Sequence, residues 1–158
     1  MHTLRNLAFY KSWYKAGKPG EKKQFWINAN SNFLDIAILE WCKLFADRRG
    51  RHYYARVIDD PPQFMTDMLA KLAMTEGEFT AYVEELKNYR DKFIAHLDEL
   101  EGYVVPKIKV ARESSRFLYD RLQDQEQQAN TFAGAPESGS EFYDHFFDEG
   151  LHSYKKLI

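Results

Sequence analysis

The sequence has few of the residues that cross-link small folds or interrupt helices. It contains one cysteine, eight glycines and five prolines in 158 residues, so an internal disulfide is excluded, and a chain of this length does not need one. The longest apolar run is four residues, Ile36 to Leu39, far below the ~20 of a membrane-spanning helix. The sequence does not begin with the charged segment and following apolar stretch that are typical of a signal peptide. We therefore expect a cytoplasmic protein with no membrane partner, and a Cys42 that is a small core residue.

Neither sign of charge dominates the chain. The 22 Lys and Arg residues against 24 Asp and Glu give a formal net charge of −2, so no chain-wide positive field would attract nucleic acid. Apolar residues make up 44% and charged residues 29%, a composition typical of a globular domain and unlike that of a disordered chain. Any site for a polyanion such as RNA must therefore be local.

Long stretches without Gly or Pro favour helices, because strands average only ~5 residues and β-branched residues are few here. No stretch alternates at period two, so the sequence predicts an all-α fold: an up-and-down bundle of about five to six helices in a single domain, 1–158. The predicted helices are Leu4 to Tyr14, Lys22 to Asp47, Pro61 to Ala73, Glu76 to Leu100, Lys107 to Gln128 and Ser140 to Leu157. We expect the core in 22–128, with the C-terminal helix, 140–157, packed on it.

The second predicted helix is apolar on nearly all sides between Phe33 and Phe45, which predicts that it lies in the middle of the bundle. Asp35, Glu40 and Lys43 interrupt it. The sequence leaves open whether these charges face solvent, pair with one another or belong to a site, because a buried carboxylate must find a partner or shift its pKa.

An arginine falls inside the apolar stripe of the fourth predicted helix. At about 100° per residue the stripe contains Phe79, Tyr82, Val83, Leu86, Phe93, Leu97 and Leu100. Arg90 lies within this stripe and His96 lies on its flank, ~9 Å further along. An arginine keeps its charge, so on an apolar face it needs a carboxylate, backbone carbonyls or a ligand phosphate. An Arg to carboxylate pair beside a half-buried His is therefore the structural alternative to a functional site.

Two strings around these residues resemble the HEPN superfamily. Asn88 to Asp98, NYRDKFIAHLD, is similar to its signature of Arg, a polar residue, a gap of four to six residues and His; five residues separate Arg90 from His96. The string FLDIAILEWCKLF, at 33–45, resembles the core helix of the prokaryotic branch associated with phage abortive infection. The resemblance covers 24–128, and Asp91 stands where the family more often has Asn.

The resemblance implies a helical bundle that forms a homodimer and brings Arg and His of both chains into one cleft. It implies a metal-independent endoribonuclease with no cofactor, in which Arg90, Asp91 and His96 are catalytic, and a role in phage defence or a toxin–antitoxin pair with a possible antitoxin partner. A two-fold contact would cover the flank that carries Tyr89, Arg90, Phe93 and His96, which we expect to be exposed. Other members are inactive and bind nucleotides or dock partners, so that alternative stays open.

A basic and aromatic segment, RRGRHYYAR at 48–56, follows the second predicted helix. Arginines with interleaved aromatic residues can hold phosphates and stack on bases. The predicted RNA-binding residues are Arg48, Arg49, Arg51, His52, Tyr53 and Arg56. The alternative is a solvated loop whose positive charge stabilises the end of the preceding helix.

One row of the last predicted helix has the spacing of a carboxylate metal site. Glu141, His145, Glu149 and His152 fall within about 80° of one another, and Glu149 to His152 is a Glu-x-x-His pair. The apolar residues occupy the opposite side, and no second Glu-x-x-His is present. We therefore expect this row to face solvent and predict no metal site.

Overall fold

The computed structural model of the chain describes residues 1–94, 105–126 and 132–157. Within these residues the chain is helical with no strand, which confirms the predicted all-α bundle. The helices are α1 (His2–Lys15), α2 (Gln24–Phe45), α3 (Pro61–Leu72), α4 (Glu76–Tyr89), α5 (Lys109–Glu126) and α6 (Gly139–Lys155). Each of the predicted helices therefore has a counterpart.

Local side-chain chemistry explains where α3 and α4 begin. Asp60 Oδ1 accepts a hydrogen bond from the Gln63 backbone N–H at 3.1 Å, and two prolines occupy the first positions of α3. Ala73 ends α3 in the left-handed conformation, with φ at 52°. Thr75 and Glu78 then form a capping box at the start of α4. The turn between these helices is thus set by its own residues.

The first helix is part of the core. It packs against both α2 and α6, and Leu4, Leu7 and Ala8 are at most 1% exposed. Gly150 allows α6 to approach closely, because a Cβ at this position would lie 2.3 Å from Ser12 Oγ. The packed interior therefore includes α1 in addition to residues from 22–128.

The second helix, α2, buries one face and exposes the other. Leu34, Ile38 and Trp41 are at most 3% exposed, whereas Phe25 is 70% and Ile36 is 43% exposed. The apolar pattern between Phe33 and Phe45 predicts a helix in the middle of the bundle, but the helix is not covered on every side. In the described part of the chain its packing partners are α1, α4, α5 and the segment after α4, and they leave the side that carries Ile36 open to solvent.

Trp41 joins α2 to α5 at the centre of the core. Its Nε1–H donates to Ser114 Oγ at 2.9 Å, and its ring stacks on Phe45 with centroids 5.1 Å apart. The adjacent Cys42 is fully buried, and burial raises the pKa of its thiol to about 12. A thiol with this pKa stays protonated near neutral pH, which agrees with the expected core role.

The fourth helix is shorter than the sequence predicts. It ends at Tyr89, and Arg90–Ile94 form a π-helical segment. The prediction of one α-helix from Glu76 to Leu100 is therefore wrong over these five residues, and 95–100 lie outside the described residues. A π-turn closes its hydrogen bonds over five residues, which changes the angle per residue. The 100° period used to place residues beyond Tyr89 consequently does not hold there.

Candidate functional site

The Arg90 side chain is bound by two carboxylates. Its Nη1–H donates to Asp47 Oδ1 at 2.7 Å and its Nε–H donates to Asp91 Oδ1 at 2.8 Å, and the side chain is 18% exposed. Hydrogen bonds to Asp91 and to Asp47 raise the pKa of the Arg90 guanidinium above its ordinary value, so it stays charged. These two bonds use two of the five guanidinium N–H groups, and a phosphate could engage the others.

Asp47 connects Arg90 to the basic segment at 48–56, which we call the Arg loop. The Asp47 N–H donates to Cys42 O at 2.9 Å at the end of α2, and the Gly50 N–H donates to Asp47 O at 2.7 Å. This tight turn directs the Asp47 carboxylate to Arg90, while Arg48 is exposed. The start of the Arg loop and the predicted catalytic arginine are therefore held by one residue.

The Arg loop presents its predicted RNA-binding residues to two sides. Arg48, Arg49 and Tyr53 line one pocket. Arg51 Nε donates to His52 Nε2 at 3.0 Å, and His52 lines a different pocket beside the N-terminus. The guanidinium of Arg56, which lies outside both linings, donates to the Arg49 backbone carbonyl at 3.4 Å. The structure thus brings three of the six predicted binding residues together.

The pocket beside the Arg loop has a volume of about 600 Å³, within the ~300–1,000 Å³ range of small-molecule sites. Its aromatic and aliphatic wall consists of Phe45, Tyr53, Tyr54, Met65, Phe79 and Val83. Its lining includes three positively charged residues, Arg48, Arg49 and Lys87, and three negatively charged residues, Asp47, Glu76 and Glu84. Apolar rings beside arginines suit a nucleotide, with the base against a ring and the phosphate against a guanidinium.

Two residues of the flank that the sequence predicts to be exposed, Tyr89 and Arg90, are covered within the chain. Tyr89 is 4% exposed, and its hydroxyl donates to Asp35 Oδ1 at 3.0 Å. Arg90 is mostly covered as well, so the prediction is wrong for both residues, because each is directed to a carboxylate on α2 or just after it. Burial raises the pKa of the Asp35 carboxyl, and the bond from Tyr89 opposes that shift.

The other charges of α2 have structural partners too. Glu40 forms an ion pair with Lys43 one turn further along the helix. Together with the Asp35–Tyr89 hydrogen bond, this accounts for the carboxylates whose role the sequence left open. Asp35 and Glu40 each bond to a nearby side chain, and neither lines the pocket beside the Arg loop.

His96, which the resemblance implies to be catalytic, lies outside the described residues. Asp91 is exposed and bound to Arg90. Of the predicted catalytic residues, the structure therefore describes Arg90 and Asp91.

The Glu and His row of α6 faces solvent, as the sequence predicts. Glu141, His145, Glu149 and His152 are all exposed, while the opposite side packs on the core. Across 1–94, 105–126 and 132–157, no group of three or more His, Cys, Asp or Glu side chains is placed to hold a metal ion.

Sequence reasoning missed Asp47 and Lys87. The sequence predicts Asp47 only as the last residue of a helix, although an acidic residue between an apolar helix and an arginine run indicates a partner for a cation. Lys87 lies on α4 and reaches the pocket only because α4 packs beside the Arg loop. Contacts of this kind, between a helix and a distant loop, leave no pattern in the amino-acid sequence.

Comparisons with known proteins leave the family open. No family model matches the sequence, and searches of curated proteins and of solved structures find no significant match. In the part of the chain that the structure describes, none of the helices is both long enough and apolar enough to span a membrane. The function must therefore be argued from the residues of the site.

Proposed function

We propose that this protein is a HEPN-like endoribonuclease that cuts RNA without a metal ion. The observation that carries the proposal is that Asp47 lines the same pocket as Arg48 and Arg49 and also accepts a hydrogen bond from Arg90, which lies just outside that lining. These three arginines come from two distant segments of a chain whose net charge is −2. Arginines beside aromatic rings can hold phosphates and stack on bases, and here Arg48 and Arg49 share the pocket with Tyr53.

The chemistry assigns a role to each residue. His96 accepts the proton of a ribose 2′-OH, and the 2′-oxygen attacks the adjacent phosphorus. The bond to the 5′-oxygen breaks, that oxygen takes up a proton, and the products carry a 2′,3′-cyclic phosphate and a 5′-hydroxyl. Arg90 stabilises the charge that develops on the phosphate oxygens. Asp91 orients Arg90, and Arg48, Arg49 and Tyr53 hold the strand.

The biological setting and assembly are part of the same proposal. The resemblance favours a cytoplasmic, homodimeric protein of phage defence or of a toxin–antitoxin pair, restrained by an antitoxin protein. The proposed dimer rests on that resemblance, since Tyr89 and Arg90 are covered within one chain and do not call for a partner to cover them.

A second candidate function is a catalytically inactive module that binds a nucleotide or docks a partner. The observation that favours it is the double ion pair of Arg90, because a guanidinium held by Asp47 and Asp91 must exchange a carboxylate for a substrate phosphate before it can act fully on that phosphate. Under this candidate the pocket binds nucleotides and RNA stays intact.

The deciding experiment is cleavage of a labelled RNA in EDTA by the wild-type protein and by two variants. We expect cleavage that leaves a cyclic phosphate, and we expect Arg90→Ala and His96→Ala each to lower its rate by about 10²–10⁴-fold, the contribution of one acid–base or charge-stabilising group. Circular dichroism checks that the fold survives.

His152→Ala is the matched control, because this histidine is exposed on α6 and is not among the residues that line the pocket. It should cleave as fast as the wild type. A requirement for added metal, or full activity of His96→Ala, contradicts the proposed mechanism. Nucleotide binding without any cleavage supports the second candidate.

A further inference from the structure

A second pocket, which we call the lysine pocket, opens beside the start of α5. It has a volume of about 390 Å³ and is lined by Leu7, Lys11, Lys107, Ile108, Lys109, Arg112 and Tyr143. It shares no lining residue with the pocket beside the Arg loop. Its size falls within the ~300–1,000 Å³ of small-molecule sites.

The lysine pocket is strongly positive. Four of its seven lining residues are cationic and none is acidic. Lys11, Lys107 and Lys109 form no ion pair within the described residues. Like charges gathered at one place repel one another unless an anion or solvent screens them. The arrangement therefore favours an anionic ligand.

The floor of the lysine pocket is apolar and fixed. Leu7 is 1%, Ile108 is 8% and Tyr143 is 4% exposed. The Arg112 guanidinium carbon lies 5.4 Å from the centroid of the Tyr143 ring, and Arg112 Nε donates to Glu113 Oε1 at 2.8 Å. Glu113 neutralises part of the Arg112 charge, and together with the ring it holds the guanidinium in one orientation.

A phosphate group matches this arrangement better than a carboxylate does. A phosphate presents several oxygens in different directions and carries up to two negative charges, so it can contact three ammonium groups and a guanidinium together. The apolar floor of Leu7, Ile108 and Tyr143 suits the organic group that the phosphate esterifies. The start of α5, which has no acidic residue in its first turn, adds to the positive potential.

We infer that the lysine pocket binds a phosphate group, carried either by a free nucleotide or by an RNA strand. This inference goes beyond the proposed ribonuclease activity, because the site is distinct from Arg90 and the Arg loop and needs no cleavage. Sequence reasoning could not find it, since residues 11 and 107 are far apart along the chain.

The first arm of the test measures binding of adenosine 5′-monophosphate by titration calorimetry, with adenosine as the ligand that lacks the phosphate. The variant is Lys11→Gln/Lys107→Gln/Lys109→Gln, and the control is Lys22→Gln/Lys23→Gln/Lys71→Gln, three exposed lysines outside the pocket linings. We expect the variant to weaken nucleotide binding by at least about tenfold, and the control to leave it unchanged. Adenosine should bind no better to the wild type than to the variant.

The second arm measures RNA binding by fluorescence anisotropy at several salt concentrations. If an RNA strand is the ligand, the same variant should reduce the log–log salt slope by about two units, because each lost phosphate contact on a single strand contributes ~0.7. Loss of nucleotide binding alone identifies a free nucleotide as the ligand. Nucleotide binding and a salt slope that both match those of the control variant overturn the inference.

The two proposals fail separately. Absence of RNA cleavage contradicts the ribonuclease and leaves the nucleotide titration interpretable. Conversely, Arg48→Gln/Arg49→Gln removes cations from the other pocket. If this variant still binds the nucleotide and the lysine variant does not, the nucleotide binds in the lysine pocket.

Discussion

At the scale of single residues, one carboxylate determines how Arg90 can act. Asp47 occupies Nη1 of Arg90 and lines the pocket that would hold RNA. We expect Asp47→Asn to raise RNA affinity by about three- to tenfold, because it removes a negative charge beside the strand and weakens a bond that competes with phosphate. Anisotropy titration with a labelled RNA measures this change.

Asp67→Asn provides the control for that prediction. Asp67 accepts a hydrogen bond from Arg121 at 2.8 Å, an ion pair of similar geometry outside the pocket lining. Its loss should leave RNA affinity unchanged. A lower affinity for Asp47→Asn would instead mean that Asp47 positions Arg90 for the phosphate.

Asp35 gives a second residue-scale prediction, on pH dependence. Burial raises the pKa of its carboxyl in the folded state, so the folded chain holds this proton more tightly than the unfolded chain does. The free energy of unfolding therefore falls as pH rises from the unfolded pKa through the folded pKa, and it stays lower above both.

Asp35→Asn removes this penalty and keeps an oxygen that can accept the Tyr89 hydroxyl. At pH 7 we expect the free energy of unfolding to rise, because a neutral amide carries no charge to desolvate at this half-buried position. The gain should vanish below about pH 3, where the carboxyl is protonated in both states. Urea unfolding at both pH values measures it, with exposed Asp148→Asn as control. A loss of stability at pH 7 would contradict the assignment.

At the scale of elements, the sequence predicts the helices well and their faces less well. Sparse Gly and Pro predict α3 and the start of α4, where the structure shows the Asp60 cap and the Thr75–Glu78 capping box as the local cause. The π-turn at Arg90–Ile94 was missed, because a 100° period assumes α geometry throughout. The exposed side of α2 was missed because composition cannot tell which neighbours will pack against a helix.

The contact between α1 and α6 depends on one glycine. A Cβ at Gly150 would lie 2.3 Å from Ser12 Oγ and 3.0 Å from Phe9 Cδ1. We expect Gly150→Ala to lower the free energy of unfolding by about 1–3 kcal/mol, the cost of overpacking a buried contact. Chemical denaturation measures this loss.

Gly77→Ala is the matched control, since Gly77 also lies in a helix and a Cβ there meets nothing within 4 Å. It should be neutral or stabilising by up to ~1 kcal/mol. Adding Ser12→Ala to Gly150→Ala should recover part of the loss, because it removes the nearest atom. Equal effects of the two glycine substitutions would show that α6 does not pack as closely on α1 as described.

At the scale of the whole molecule, a nearly neutral chain gathers its cations at particular places. The arginines at 48 and 49 are adjacent in the sequence, so their position in one cluster could be predicted from it. Lys11 meets Lys107 and Lys109 only through the packing of α1 near the start of α5. Net charge therefore bounds the function of this chain without locating its anion sites.

Assembly gives the last prediction, because the proposed cleft needs Arg90 and His96 from two chains. If only the dimer is active, specific activity must follow the dimer fraction. At a total concentration tenfold below the dimer dissociation constant, mass action leaves roughly one-seventh of the chains paired. We therefore expect light scattering to report twice the 18.7 kDa of one chain at high concentration, and RNA cleavage per chain to fall about sevenfold on that dilution. His96→Ala should keep the dimer mass while losing activity, which separates assembly from chemistry. Full activity per chain in a sample that scatters as a single chain would exclude a composite site.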